Sequence, residues 1–156
     1  MATKMAVRAL YTAVVALAFV WLAAIFAAPR LMCGGYEMSA TLLYRTFALI
    51  CHQRAERSFH WCGWPLAVCV RCTGIYVGGL CGVLFYPLWR GLEVWRVPQR
   101  KYLLLALVPL ALDWGLGVTG VIVNNTGSRM VTGWLVGVVA AYYVLPALLA
   151  AGAKQT

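Results

Sequence analysis

Four stretches of the chain stay apolar over the length needed to cross a bilayer, and polar breaks separate them. A spanning helix needs about 20 predominantly apolar residues. The first stretch runs over about Ala9–Ala28 and is closed by Pro29. The second covers about Cys69–Trp89 and is rich in glycine, at Gly74, Gly78, Gly79 and Gly82. The third covers about 102–123 and carries Pro109 and Asp113. The fourth covers about Arg129–Ala150, with Gly133 and Gly137 one turn apart. A fifth apolar stretch, Met38–Ile50, is too short to span at about 1.5 Å per residue and contains Arg45. It fits a helix lying along the interface, or one that dips in and returns. The pattern predicts an all-α integral membrane protein. Its expected form is a four-span helical bundle with one short interfacial or re-entrant helix, a single domain over residues 1–156.

Composition agrees. The chain is 63% hydrophobic and 11% charged, against about 45–50% and about 25% for soluble domains. The net charge of +9 does not point to nucleic acid. The basic residues sit at the ends of apolar stretches, where they orient a membrane protein and meet anionic headgroups. Lys4 and Arg8 precede an apolar run longer than the roughly 7–15 residues of a signal peptide. That run is therefore read as a retained span. Arg90, Arg96, Arg100 and Lys101 crowd the link between the second and third spans. They place that link and the N-terminus in the cytoplasm of a multi-pass cell-membrane protein. Arg30, Arg54 and Arg57 on the opposite side weaken the bias, and a crossing by Met38–Ile50 would reverse the side of the loop that follows it. Small-residue spacings such as Gly74-x-x-x-Gly78 let helices approach closely and open a route to homo-oligomers.

The chemistry is concentrated in the loop 51–68 and the start of the second span. Cys51-His52 precedes a loop with Trp61 and Trp64, which suit the headgroup level, and then comes Cys69-Val-Arg-Cys72-Thr-Gly74. A C-x-x-C pair lets one turn present two sulfurs to one ion, and thiolate with imidazole suits zinc, with iron as an alternative. Cys51, His52, Cys69 and Cys72 are the expected ligands, with His60 and Cys62 as substitutes. Adjacent helical residues point about 100° apart, so Cys51 and His52 share an ion only where the backbone leaves the helix. A redox reading stands beside this one. The helix dipole and Arg71 favour thiolate in C-x-x-C, and an oxidising compartment would allow Cys69–Cys72 or Cys51–Cys69 to pair. Packing is the plain alternative, preferred for Cys33 and Cys81.

Asp113 is costly in a bilayer, about 2.5–3.5 kcal/mol on insertion scales, and should find a partner among Arg71, Arg45 and Arg129. Asn124, Asn125, Ser128, Arg129, Thr132 and Gly133 form a polar patch that suits an anion, or an ordinary turn in which Ser128 caps the last helix. Arg54 and Arg57 can meet headgroup phosphates.

Cys51-His-Gln53, Arg57-Ser-Phe59 and Val68-Cys-Val-Arg-Cys72-Thr-Gly-Ile-Tyr76, with Gly78 after it, resemble the signature of a family of small microbial membrane proteins of unknown function. Asp113, Asn125, Arg129 and Thr132-Gly133 resemble its C-terminal half. The likeness covers about residues 45–137. It implies a multi-span membrane protein with Cys51, His52, Cys69 and Cys72 as signature positions; Cys33, Cys62 and Cys81 fall outside the signature.

The leading expectation is a metal-centred site at the membrane face, acting on a lipid-like or small polar substrate. His52, Asp113 and Arg71 are its catalytic candidates, and Gln53, Arg57, Asn125 and Arg129 its substrate-binding candidates. The lipid bilayer, and an anionic lipid or small polar ligand, are the expected partners. A transporter using Asp113 and Arg129, and a thiol–disulfide protein, are the alternatives.

Overall fold

Each long apolar stretch is a helix in the computed structural model, which describes residues 2–93, 96–122 and 124–153. Helix α1 covers Ala2–Cys33, α2 Glu37–Ala48, α3 Val70–Arg90, α4 Arg100–Val118 and α5 Thr126–Ala153. A two-stranded hairpin, β1 (His60–Trp61) and β2 (Trp64–Pro65), lies between α2 and α3. Four of the helices, α1, α3, α4 and α5, are long and apolar enough to cross a membrane. The protein is an all-α multi-pass membrane bundle.

Pro29 does not end the first helix. It lies inside α1 with its side chain fully buried, and the helix continues to Cys33. Pro87, Pro109 and Pro146 are also intrahelical. A bundle tolerates such breaks because neighbouring groups re-satisfy the freed backbone carbonyl. The third span is shorter than expected: α4 stops at Val118, Gly120 turns the chain at φ 74°, and the expected end at residue 123 lies outside the described residues.

The short helix α2 folds back along α1. Gly34 and Gly35 (φ 80°) make the turn, and the Tyr36 N–H reaches back to the Leu31 carbonyl at 2.9 Å. Phe47, near the end of α2, meets Trp21 edge-on at 5.1 Å. Trp21 lies 12 residues before the end of α1, and Phe47 lies 11 residues beyond Tyr36, so the two helices run antiparallel in register. At about 1.5 Å per residue, the end of α2 is therefore some 18 Å down α1. Ile25, Ala28, Phe47 and the loop residues Leu66, Ala67 and Val68 form one buried cluster there. The 12-residue α2 is not one of the four candidate spans, and it runs alongside α1 rather than across it.

Helices α3 and α5 pack most closely, side by side and parallel. A Cβ on Gly82 would lie 2.6 Å from the Ala141 Cβ, and the glycines at 74 and 78 face the Met130–Trp134 backbone in the same way. Gly133 and Gly137 meet the α3 backbone in return. The glycine faces that the sequence offered to a second copy are thus occupied within the chain. Dispersion between closely set backbones replaces the hydrophobic drive that lipid cannot supply. α1 closes a second buried cluster with this pair through Val7, Val83, Tyr86, Leu145 and Leu149. By contrast, α4 buries no residue. Tyr143 O–H donates to the Gln99 carbonyl at 2.6 Å at one end of α4. At the other, Arg71 of α3 pairs with Asp113, and the Asn124 amide donates to the Asp113 carbonyl.

This order puts the N-terminal end of α1, the described residues of the 91–99 link and the C-terminal end of α5 on one face. Lys4 and Glu93 meet there at 2.9 Å. The 49–69 loop and the described residues of the 119–125 turn share the other face.

Candidate metal centre

Three thiols converge where α2 ends and α3 begins. Cys51 still belongs to the last turn after α2, its N–H bonded to the Phe47 carbonyl at 3.0 Å, and its side chain is buried. Cys69 is the residue just before α3, and Cys72 is in the first turn. The sulfurs of Cys51, Cys69 and Cys72 all lie within 4.8 Å of one another, and Cys69 and Cys72 are 3.5 Å apart. Tetrahedral bonds of about 2.3 Å place sulfurs roughly 3.8 Å from each other. The trio therefore needs only small side-chain adjustments to hold one ion.

The surrounding backbone favours thiolate. The Cys69 N–H donates to the Cys51 sulfur at 3.2 Å. The Cys69 thiol is drawn down to about 5 from an ordinary 9.0, first by the hydrogen bond from the Cys72 side chain. Burial opposes this, and the Cys72 amide, the Cys51 thiol and the Arg71 amide assist it. These amides belong to the open N-terminal turn of α3, which also carries the positive end of the helix dipole.

The loop that delivers Cys69 is held at several points. Gln53 adopts φ 48°, and its amide donates to the carbonyls of Tyr44 and Ala67, both at 2.7 Å. The hairpin turn at Cys62 (φ 50°) and Gly63 (φ 81°) has the two left-handed residues of a tight two-residue hairpin. Cys62 is joined to Cys33 by a disulfide with a Cα separation of 6.0 Å, which pins the hairpin tip to the end of α1. The Arg30 guanidinium lies 4.6 Å from the centre of the Trp61 ring beside it. Cross-linking cysteines 29 residues apart restricts the unfolded chain by about 3.5 kcal/mol on the chain-entropy account.

Several expected roles change. His52 is exposed, and it is not part of the three-sulfur group. The backbone leaves the helix after Cys51 and turns the imidazole outward while the thiol stays inside. The Gln53 side-chain amide is engaged in holding the loop. Asn125 caps α5: its side-chain oxygen accepts the Ser128 N–H at 2.7 Å, so Asn125 rather than Ser128 is the cap. His60 is exposed on β1, and Cys62 is tied up in the disulfide. Cys33, read as a packing residue, is the other half of that bond. Asp113 takes Arg71 as partner, with side chains 11% and 21% exposed.

Beside the thiols lies an open cavity of about 620 Å³. His52, Arg54, Arg57, Arg71 and Arg129 line it together with the three cysteines. Arg54, expected beside Arg57 as a contact for headgroup phosphates, and Asn124, part of the expected polar patch, also line it.

Comparison with known proteins agrees with this architecture. A family model described as predicted membrane protein (DUF2085) matches residues 51–143, from the first thiol into α5. An uncharacterized protein of Methanocaldococcus jannaschii is 37% identical over 111 residues, covering 71% of each chain. A second uncharacterized protein, from Methanothermobacter thermautotrophicus, is 33% identical over 94 residues, 59% of this chain and 81% of that one. No solved structure matches.

Proposed function

Because the chain belongs to the DUF2085 family of predicted membrane proteins, whose matched region begins at Cys51, we propose that it is a membrane metalloprotein. In this reading Cys51, Cys69 and Cys72 hold one soft divalent ion, zinc or iron, at the membrane face. The observation that carries the reading is the approach of three sulfurs from two separate segments to within 4.8 Å. Packing alone gives no reason for an amide to donate to one of them, or for the first turn of α3 to turn its N–H groups toward another. Three protein ligands leave a fourth position open toward the cavity. That is the pattern of an ion that binds or polarises a ligand, not of one buried for structure alone. His52, on the same cavity wall, is placed to exchange protons with whatever occupies that position.

Elemental analysis of protein purified without chelators tests this. About one ion per chain is expected. Cys72→Ser should weaken binding on the order of 100-fold or more, since it removes a third of the ligands. Cys81→Ser, which alters a cysteine outside the group, should change nothing. Metal-free wild-type protein that takes up no zinc or iron would refute the reading.

One observation favours a second reading. The Cys69 and Cys72 sulfurs, 3.5 Å apart, suit a dithiol. Cys69 thiolate would attack an external disulfide, releasing one substrate thiol, and Cys72 would then displace the second and close the Cys69–Cys72 bond. This reading requires no bound ion and a reversibly titratable thiol pair.

The loop face is proposed to lie outside the cytoplasm. The Cys33–Cys62 disulfide on that face fits an oxidising compartment. Lys4, Arg8, Arg90, Arg96, Arg100 and Lys101 gather at the other. A membrane-impermeant maleimide applied to intact, chelator-treated cells should label Cys69. Labelling only after lysis would reverse the orientation.

A further inference from the structure

We propose that the cavity beside the thiols binds an anionic phospholipid, with the headgroup oxyanion held by Arg57 and Arg129 and the acyl chain lying against α4. The proposal rests on the metal reading only for what the headgroup meets at its far side.

Charge on the cavity wall is the first ground. Four guanidinium groups line it, and no carboxylate does. Arg54 is offset by Glu56, 3.8 Å away, and Arg71 by Asp113. Arg57 and Arg129 have no ion-pair or side-chain hydrogen-bond partner among the described residues, and Arg129 is half-buried. The buried Arg71 Nε is likewise without an acceptor. Planar guanidinium groups with unused N–H donors match phosphate oxygens in geometry as well as charge.

The second ground is the opposite wall. Ile75, Leu110, Trp114 and Val118 complete the cavity. Trp114 is 59% and Val118 67% exposed, on the helix that buries nothing inside the bundle. The apolar wall is therefore continuous with the lipid-facing surface. The arginines come from the loop and from the first turn of α5, both on the loop face. A ligand with an anionic head at interface level and an apolar tail along α4 satisfies both walls at once. A free anion satisfies only one.

The full chain in phosphatidylcholine bilayers, probed with trace spin-labelled phosphatidic acid or phosphatidylcholine, reads this directly. Electron paramagnetic resonance gives the fraction of each probe immobilised by protein. The wild type should favour phosphatidic acid by about 5-fold or more. Arg57→Gln with Arg129→Gln should bring the ratio close to one while metal content is kept. Arg96→Gln with Arg100→Gln, on the opposite face, should leave it unchanged. No preference in the wild type overturns the proposal. So does a preference that survives the first pair, or falls equally with the second, because general surface charge then explains it. If calorimetry instead shows inorganic phosphate binding that depends on Arg57 and Arg129, without lipid preference, the site takes free phosphate and the lipid assignment fails. Elemental analysis reads the metal separately, so a metal-free protein that keeps its lipid preference refutes the metal reading alone.

Discussion

Replacing Asp113 with Leu is expected to destabilise the folded bundle by about 3 kcal/mol, the scale on which breaking a shielded ion pair leaves its partner charged and uncompensated. Among the described residues, the pair is the ion pair that ties α4 to the rest of the protein. Arg71 comes from the first turn of α3, and Asp113 lies four turns into α4. No residue of α4 is buried, so apolar packing does little to hold the helix in place. Asn124 adds a hydrogen bond to the Asp113 carbonyl and anchors the following turn to the same point. Loss of the carboxylate therefore removes the register of α4 as well as the charge balance of Arg71. Arg71→Met in the Asp113→Leu background should restore most of the loss, because two apolar side chains are acceptable where one bare guanidinium is not. Equilibrium unfolding in mixed micelles measures both. A single variant within about 0.5 kcal/mol of wild type would mean that the ion pair does not hold α4. A double variant no better than the single would mean that the cost came from lost packing.

The same pair shows what the sequence could and could not display. An acid in the middle of a 20-residue apolar run must have a partner, and that much is readable from composition. Three arginines were candidates, however. Only the parallel packing of α3 on α5, set by glycines whose mates lie some sixty residues away, brings Arg71 to the right side of α4. The thiol trio was legible for a similar reason: soft ligands in a C-x-x-C pattern are conspicuous in lipid-facing sequence. Its fourth member was not. Whether His52 joins Cys51 depends on how the backbone leaves the last turn after α2, and no spacing rule encodes that. Cys33 was read as a small hydrophobe because its neighbours are apolar. Its pairing with Cys62 depends on two features that emerge only together, the fold-back of α2 and the left-handed hairpin turn at Cys62-Gly63. Gln53 and Asn125 show the same limit, because amide side chains look alike as ligands and as staples. Only the carbonyls of Tyr44 and Ala67, and the amide of Ser128, distinguish the two roles.

Cys69 should alkylate in the metal-free protein with a midpoint near pH 5, about four units below the ordinary 9.0. The direction follows from its neighbours. The Cys72 thiol donates to the Cys69 sulfur, and the amides of Cys72 and Arg71 point at it, so the charged form is favoured over the burial that opposes it. Lower basicity also makes a poorer nucleophile. With a Brønsted slope of about 0.5, the plateau rate should be roughly 100-fold below that of an ordinary thiolate. At pH 6, however, most Cys69 is ionised, against roughly one in a thousand for an ordinary thiol, so Cys69 should react about 10-fold faster there. The rate should be flat from pH 6 upward. Peptide mapping by mass spectrometry after a short iodoacetamide pulse follows Cys69 apart from Cys72 and Cys51. Cys72→Ala removes the largest stabilising contact, and the midpoint should rise. The sign for stability follows from the same shift. A thiol whose folded value is depressed supports the fold fully above the unfolded value, and that support fades as pH falls and is gone below about 5. Acid should therefore loosen the junction of α2 and α3 in the metal-free protein and release the ion from the loaded one, since protons and metal compete for the same sulfur. A midpoint near 9 in the wild type, unchanged by Cys72→Ala, would show that the three sulfurs do not share their protons, and the case for a common ion would fall with it.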